Sequence, residues 1–198
     1  MTTDPSVPEE GAHTDPSVPE EGRQARLEGS RRAGELPETL TTARLRLPLI
    51  SPEDAAGMLT GKRRTSWHRD YPTPRDQDAV AMVKAGSPDA TWGPRHLVRA
   101  GDGTTIGSVG FYGAPGPADD DVLEAEVGFG LVGDARGFGA ASEALGVVLA
   151  ETDRLGVRVR AGVRPENSAA LKVLARCGFT QLRGAGEDGT LVMVRPLP

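Results

Sequence analysis

The chain has 198 residues, which is enough for one domain of ordinary size and too short for two comfortable ones. Its formal charge of −5 provides no large cationic field, so binding to nucleic acid in general, or to an acidic membrane, is disfavoured. A single cysteine excludes an internal disulfide and a thiolate zinc cage, and three scattered histidines give no ligand pair, so we expect no metal.

The beginning of the chain predicts a cytoplasmic setting. Its first residues are acidic where a secretory signal needs basic and then apolar residues, and no window of the sequence is long and apolar enough to span a membrane. The pattern leaves the oligomeric state open between a monomer and a homodimer.

Residues 1–38 are rich in Pro, Glu and Gly and contain a tandem duplication. The nonapeptide at 3–11 returns unchanged at 14–22. A segment of this composition cannot bury enough apolar surface to offset its chain entropy. Its nine acidic and four basic residues account for the whole formal charge of −5. We therefore expect a disordered acidic tail over 1–38 and one folded domain over 39–198.

The first half of this domain shows the patterns of two helices and three strands. Strict alternation predicts a strand over 43–47. Ser51 is typical of a helix cap, with Pro52 at the first helical position. A loop with aromatic anchors over 61–75 and a short helix over 76–85 follow. Strands over 96–100 and 104–112 flank a Gly-Asp-Gly turn, which predicts a hairpin.

The second half predicts a strand, a helix, a strand, a helix and a terminal hairpin, over 123–132, 140–155, 157–163, 167–177, and 179–182 with 191–194. In the strand 123–132 the odd positions are apolar and share one face. Glu124, Glu126, Gly128 and Gly130 share the other. The order of elements predicts an α/β fold, with a mixed sheet and helices on both faces.

A glycine-rich turn at 134–143 joins the strand 123–132 to the helix that follows it. Glycines let backbone N–H groups converge on one point, and the helix dipole adds partial positive charge there, so the turn is a predicted anion seat. Arg136 at its lip can add a charge-assisted contact, and the small Ala140 and Ala141 leave room for a diphosphate.

Two other phosphate-binding interpretations fit less well. A Walker loop needs Lys-Ser/Thr after its last glycine, and Ala140-Ala141 follow Gly139 here. The stretch 128–133 matches the dinucleotide fingerprint G-x-G-x-x-G. Its glycines lie inside the predicted strand, however, whereas that fingerprint must open a helix.

Four motifs together resemble the GNAT acetyltransferase superfamily over about residues 40–196. Its acyl-CoA signature Gln/Arg-x-x-Gly-x-Gly/Ala stands here as Arg136-Gly-Phe-Gly139-Ala-Ala141. The segment 167–179 is similar to the family's last helix and its Gly-Phe exit. The opening 40–47 with 51–54, and Glu126-Val-Gly-Phe129, look most like the RimJ/RimL branch of ribosomal-protein alanine acetyltransferases.

The resemblance implies a GNAT fold, in which a mostly antiparallel sheet contains one splayed parallel strand pair. It implies acetyl-CoA as the acetyl donor and an amine as the acceptor: a protein N-terminus, a lysine or a small-molecule amine. Transfer would be direct, within a ternary complex. The cofactor contacts it implies are Phe129, Leu131, Val132, Arg136, Gly137, Phe138, Gly139, Ala140, Ala141 and Asn167. The N–H near Leu131 would polarise the thioester carbonyl.

The acceptor amine must attack as the free base, although a lysine-like amine has a pKa of about 10, so a general base is expected. Glu126 is the first candidate and Glu124 the alternate. For proton return to the thiolate, relatives use a tyrosine where this chain has Leu174 and often a serine where it has Ala170. Ser168, a water or bulk solvent must then serve.

The loop that, by resemblance, lies beside the acceptor contributes Trp67, His68 and Tyr71 as candidate substrate contacts. The single cysteine, Cys177, is expected to pack at a helix end rather than to act as a nucleophile. The missing proton donors keep a second hypothesis open: a non-catalytic acyl-CoA-binding or regulatory module.

Overall fold

The computed structural model of the protein describes residues 34–81 and 90–198. Within these residues nine strands form one sheet in the order β1-β2-β3-β4-β6-β7-β9-β8, and β5 pairs with β6. The strands are β1 Thr39–Thr41, β2 Leu45–Pro48, β3 Pro94–Arg99, β4 Thr105–Phe111, β5 Gly116–Pro117, β6 Leu123–Leu131, β7 Arg158–Val163, β8 Gln181–Ala185 and β9 Leu191–Arg195. The α-helices are α1 Pro52–Thr60, α2 Pro74–Ala81, α3 Ala140–Arg154 and α4 Ser168–Arg176.

This architecture confirms the predicted fold class. Neighbouring strands are antiparallel except for β6 and β7, which run parallel. The predicted hairpin is β3 and β4, and Gly103 in its turn has a φ of 71°. The predicted helix cap at Ser51 is also confirmed, because its hydroxyl accepts a hydrogen bond from the N–H of Asp54 at 3.0 Å.

The structure differs from the sequence-based prediction near the start of the domain. A short strand, β1, lies ahead of the predicted first strand and pairs with it, Leu40 opposite Leu47. Leu36 is buried in the core, and the indole N–H of Trp92 donates to the carbonyl of Gly34 at 3.2 Å. Leu36 and the carbonyl of Gly34 therefore contact the folded domain ahead of residue 39, while the domain boundary itself stays a prediction.

The rest of the predicted acidic tail, residues 1–33, lies outside the described residues, as does the end of the predicted helix 76–85. The described part of that helix, α2, begins two residues earlier than predicted. Asp76 explains this start. Its carboxylate accepts two hydrogen bonds from Thr73, one from the N–H at 2.8 Å and one from the hydroxyl at 2.6 Å. The helix is therefore anchored from its first turn.

The two faces of β6 have different neighbours. Ala125, Val127 and Leu131 are buried in the core, to which α3 contributes Leu145 and Val148. The opposite face meets α2. A methyl group placed on Gly130 would lie 3.6 Å from the side chains of Arg75 and Asp76. Helices therefore cover the sheet around the point where β6 and β7 diverge.

Candidate active site

The parallel strands β6 and β7 pair only at their beginning. Their register runs from Glu124 with Arg158 to Glu126 with Arg160, whereas β6 continues to Leu131 and β7 to Val163. The two strands therefore splay apart after Glu126, as the family resemblance implies.

The alternation of backbone groups along β6 determines which of them face this opening. The N–H of Val132 donates to Ile106 at 3.0 Å, and the carbonyl of Glu126 accepts from Tyr112 at 3.1 Å, so the even positions face β4. The N–H and carbonyl groups of Phe129 and Leu131 must then point toward the splay. The N–H of Val132 points away from the splay, toward β4. That Val132 lines the cofactor site stays a prediction.

The glycine-rich turn lies directly beyond the end of β6. Gly137 and Gly139 have φ values of 85° and 80°, in the left-handed region that glycine adopts without strain. Gly139 is the N-cap of α3 and supplies no side-chain cap, and the first helical bond runs from Glu143 to its carbonyl. The N–H groups at 140–142 therefore have no intrahelical acceptor, which is the arrangement an anion requires.

The side chain of Arg136 folds back onto the strand. Its Nε donates to the carbonyl of Leu131 at 3.1 Å. One of the backbone acceptors at the splay is thus occupied by the turn itself. The other guanidinium nitrogens are at the exposed lip of the turn, where the sequence predicts a phosphate contact.

A cavity of about 350 Å³ connects the turn, the splay and the helices on both sides. From the turn and α3 it continues along Phe129, Gly130 and Leu131, and it reaches Thr73 and Arg75 at the start of α2. On the other side it is lined by α4, including Lys172 and Arg176. The cavity therefore leads from one face of the sheet to the other.

The start of α4 is built by Asn167, which also lines the cavity. Its side-chain oxygen accepts a hydrogen bond from the N–H of Ala170 at 3.0 Å, so it caps the helix. Ser168, the predicted alternative proton donor, is exposed at the first position of α4.

The two candidate bases have different surroundings. Glu124 is nearly buried and accepts hydrogen bonds from Arg158 at 2.6 Å and from both terminal nitrogens of Arg183 at 2.7 Å. Burial favours its neutral form, but the bonds from these two arginines outweigh burial, so the pKa of Glu124 is lowered. A carboxylate held in this way is a weak base.

Glu126 is more accessible, and within residues 34–81 and 90–198 its side chain has one charged partner. Its Oε2 accepts from Arg160, with Nε at 3.1 Å, and its side chain is 35% exposed. Its Oε1 lies over β7, 3.3 Å from a methyl group placed on Gly162. Glu126 therefore stands at the opening between the two strands.

Tyr112 is a residue of this face that sequence reasoning missed. It is opposite Glu126 across β4 and β6, so both side chains lie on the same face of the sheet. A methyl group on Gly128 would collide with its hydroxyl, so the absence of a side chain there makes room for the ring. Burial raises the pKa of Tyr112, which keeps the phenol neutral.

The predicted substrate contacts are mostly inside the fold. Trp67 and Tyr71 belong to the core, their rings 5.5 Å apart, and the Tyr71 hydroxyl is 2.9 Å from Nδ1 of His96. His68 is half-buried at the surface, with Nε2 at 3.8 Å from Asp134. Burial argues against direct contact of Trp67 and Tyr71 with an acceptor, and the role of all three stays a prediction.

Two further groups carry side chains that are capable of chemistry. Cys177 is half-buried with its pKa raised by burial, which fits the predicted packing role. His68, Asp70 and Asp134 offer ligand atoms within 4.8 Å of one another. Within that group the N–H of Asp70 donates to His68 Nδ1 at 3.2 Å, and Arg69 pairs with Asp134 at 3.2 Å, so the cluster is explained by its own contacts.

Comparison with known proteins identifies the class. The family described as "Acetyltransferase (GNAT) domain" matches residues 44–180, so the chain belongs to the GNAT acetyltransferases. It is therefore an acyltransferase that uses acetyl-CoA, as predicted. The comparison with curated proteins gave no match.

Solved structures with the same fold agree. A protein assigned to the GNAT-family acetyltransferases from Bordetella pertussis is 26% identical with a TM-score of 0.56, over 81% of this chain and 100% of that one. Mycobacterium smegmatis RimJ in complex with CoA-disulfide is 22% identical with a TM-score of 0.53, over 80% and 87%. The ribosomal-protein-S5-alanine acetyltransferase of Vibrio fischeri is 16% identical with a TM-score of 0.54, over 80% and 96%.

The last two proteins are of the kind that the RimJ/RimL-like resemblance indicated, and at this identity they share the fold. Among the described residues, no helix is long and apolar enough to cross a membrane.

Proposed function

We propose that the protein transfers the acetyl group of acetyl-CoA directly to a primary amine, within a ternary complex. The observation that carries this proposal is the cavity through the splay. It joins the anion seat at the turn, the open backbone of β6 and the entrance beside α2. A donor bound on one side and an amine arriving from the other would meet at β6.

Each part of acetyl-CoA, from the diphosphate to the thioester, matches one part of this cavity. Its diphosphate would take the N–H groups at the start of α3, and Arg136 would add a charge at the lip. Lys172 and Arg176, one turn apart on α4, supply further positive charge along the same wall. The pantetheine arm would bind to the N–H and carbonyl groups that β6 directs into the splay.

The thioester carbonyl would then lie beside the N–H groups of Phe129 and Leu131. As the amine attacks, negative charge develops on the carbonyl oxygen, and a fixed N–H donor stabilises that charge without having to reorient. The C–N bond forms and the C–S bond breaks, giving an amide and the thiol of coenzyme A.

Glu126 is the proposed general base. The acceptor must lose a proton, and Oε1 of Glu126 stands at the opening while Arg160 holds Oε2. Glu124 is the weaker candidate because two arginines hold its carboxylate as an anion. The proton needed by the leaving thiolate would come from water or from Ser168 near the start of α4.

Tyr112 would line the acceptor side of the opening. Its neutral hydroxyl lies over Gly128, two residues along the strand from Glu126, and faces the same way. A hydroxyl at that position can accept from, or donate to, an amine held beside Glu126. The acceptor would be a protein N-terminus, a lysine or a small-molecule amine.

The experiment is a thiol-release assay with acetyl-CoA and a panel of amines: a peptide with a free N-terminus, an N-blocked peptide that contains lysine, and a polyamine. We expect at least one amine to release thiol in proportion to acetylated product. Binding of CoA without release above the amine-free rate would contradict catalysis and favour a binding module.

A Glu126→Gln variant tests the base. General base catalysis contributes roughly 100-fold or more, so kcat should fall by about 100-fold while the KM for acetyl-CoA stays constant. The matched control is Glu38→Gln, an exposed glutamate that precedes β1. A Glu126→Gln rate equal to that of the parent at every pH would remove Glu126 as the base.

A further inference from the structure

The glycine-rich turn is held from behind by Arg44, in the connection between β1 and β2. Nη1 of Arg44 donates to the carbonyl of Phe138 at 3.0 Å, and its Nε donates to Oε2 of Glu143 at 2.7 Å. Glu143 also accepts from the hydroxyl of Thr42 and, at 3.1 Å, from the N–H of Arg44. Two residues ahead of β2 therefore make four hydrogen bonds to the turn and the first turn of α3.

The bond to Phe138 fixes the direction of the peptide that leads into α3. A peptide bond is planar and trans, so the carbonyl of Phe138 and the N–H of Gly139 point in opposite directions. Arg44 and Phe138 line a second cavity of about 560 Å³ on the back of the turn. Gly139 lines the cavity of the active site. Holding the carbonyl at the back therefore turns the Gly139 N–H toward the proposed diphosphate.

The bond to Glu143 changes the charge of the anion seat. Glu143 lies one turn beyond Gly139, near the N–H groups that a diphosphate would take. An uncompensated carboxylate at this distance repels a diphosphate. The guanidinium of Arg44 forms an ion pair with Glu143, and the distance from Nη2 to Oε2 is 2.5 Å. The pair is close to neutral, so the helix dipole acts on the ligand unopposed.

We propose that Arg44 is a positioning residue for the cofactor: it orients the Phe138–Gly139 peptide and neutralises Glu143, and so sets the affinity for coenzyme A without touching the acceptor. This inference rests on the proposed diphosphate seat. It assigns a role in cofactor binding to the β1–β2 connection, where Arg44 lies 94 residues before Phe138 in the sequence.

The test is the dissociation constant of CoA, measured by calorimetry, together with the steady-state constants for both substrates. Arg44→Met should weaken CoA binding and raise the KM for acetyl-CoA by about tenfold, a change of about 1.4 kcal/mol. The kcat and the acceptor KM should stay constant at saturating acetyl-CoA. Arg44→Lys keeps the positive charge but loses the planar guanidinium, so it should lose less CoA affinity than Arg44→Met. The matched control is Arg46→Met, an exposed arginine on β2.

A double variant separates the two effects of Arg44. Glu143→Gln removes the repulsive charge, so Arg44→Met with Glu143→Gln should bind CoA more tightly than Arg44→Met alone. A double variant no tighter than Arg44→Met would overturn the role in charge neutralisation. Parent-like CoA affinity in Arg44→Met, or equal losses for both substrates together with a lower melting temperature, would overturn the whole inference. A parent that binds no CoA contradicts the proposed function instead.

Discussion

The cofactor side and the acceptor side of the splay present different kinds of chemical group. On the cofactor side the groups proposed to bind the ligand are mostly main chain: the N–H groups at the start of α3 and the odd positions of β6. On the acceptor side the groups proposed to surround the amine are side chains, namely Glu126, Tyr112 and the arginines that hold the carboxylates. One side depends on backbone conformation, and the other on side chains from several strands.

Because of this difference, the two sides should tolerate different amino-acid substitutions. Backbone donors remain when a side chain is replaced, so the cofactor side should fail only where a substitution disturbs φ, places a charge in the seat or removes a brace such as Arg44. The acceptor side should respond to the loss of single polar atoms. Substitutions on the two sides should therefore differ in which constant they change.

The largest effect is expected for Gly139→Asp. A φ of 80° is strained for any side chain, and a carboxylate added beside the N–H groups at the start of α3 would repel the diphosphate. We expect CoA affinity to fall by at least about 100-fold, measured by calorimetry.

The control is Gly103→Asp in the turn between β3 and β4. Gly103 has a φ of 71° and open space around a new side chain, whereas a methyl group on Gly139 would lie 3.6 Å from Nη2 of Arg44. The Gly103→Asp variant should show the same kind of backbone strain, with CoA affinity unchanged. A Gly139→Asp variant that keeps CoA affinity within tenfold of the parent would remove the turn as the anion seat.

On the acceptor side, Glu124→Gln should reduce stability more than it reduces cofactor binding. Its carboxylate joins β6 to Arg158 of β7 and Arg183 of β8, so the change leaves two arginines with a weaker acceptor. We expect a loss of about 2 kcal/mol at pH 7 by denaturant unfolding.

The sign of the pH dependence follows from the lowered pKa of Glu124. The stability contributed by its charge is present above the unfolded pKa of about 4.3 and is lost as the pH falls through the lower folded pKa. The difference between parent and Glu124→Gln should therefore shrink in acid. A difference that is the same at pH 7 and pH 3 would show that packing, not charge, is lost.

Local features were predictable from the sequence, and long-range ones were not. The glycine-rich turn could be predicted because Gly137, Gly139 and the start of α3 are consecutive in the chain; that it binds an anion stays a prediction. The sequence named Glu126 ahead of Glu124 as the candidate base, but the contacts that distinguish the two carboxylates come from arginines of β7 and β8. The sequence alone placed both on one face, and nothing in the spacing separates them.

Burial of the aromatic loop could not be predicted either, because it depends on contacts that are distant in the sequence. Trp67 and Tyr71 lie in a segment without regular structure, which made them look accessible. The segment is drawn inward because Trp67 bridges to Thr105 of β4 and the N–H of His68 donates to the Thr105 carbonyl at 2.9 Å. No local pattern encodes that contact.

The smallest predicted effect compares two tyrosines. Tyr112→Phe removes a neutral hydroxyl that faces the acceptor side, so kcat/KM for the amine should fall about fivefold, as expected for one neutral hydrogen bond, while CoA affinity stays constant. Tyr71→Phe removes a hydroxyl bonded to His96 inside the core, so it should lower the melting temperature and leave kcat/KM unchanged. Steady-state kinetics and thermal unfolding of both variants measure this contrast. If Tyr71→Phe changed kcat/KM and Tyr112→Phe did not, the acceptor would bind beside the aromatic loop, as the sequence suggested, and not beside Glu126.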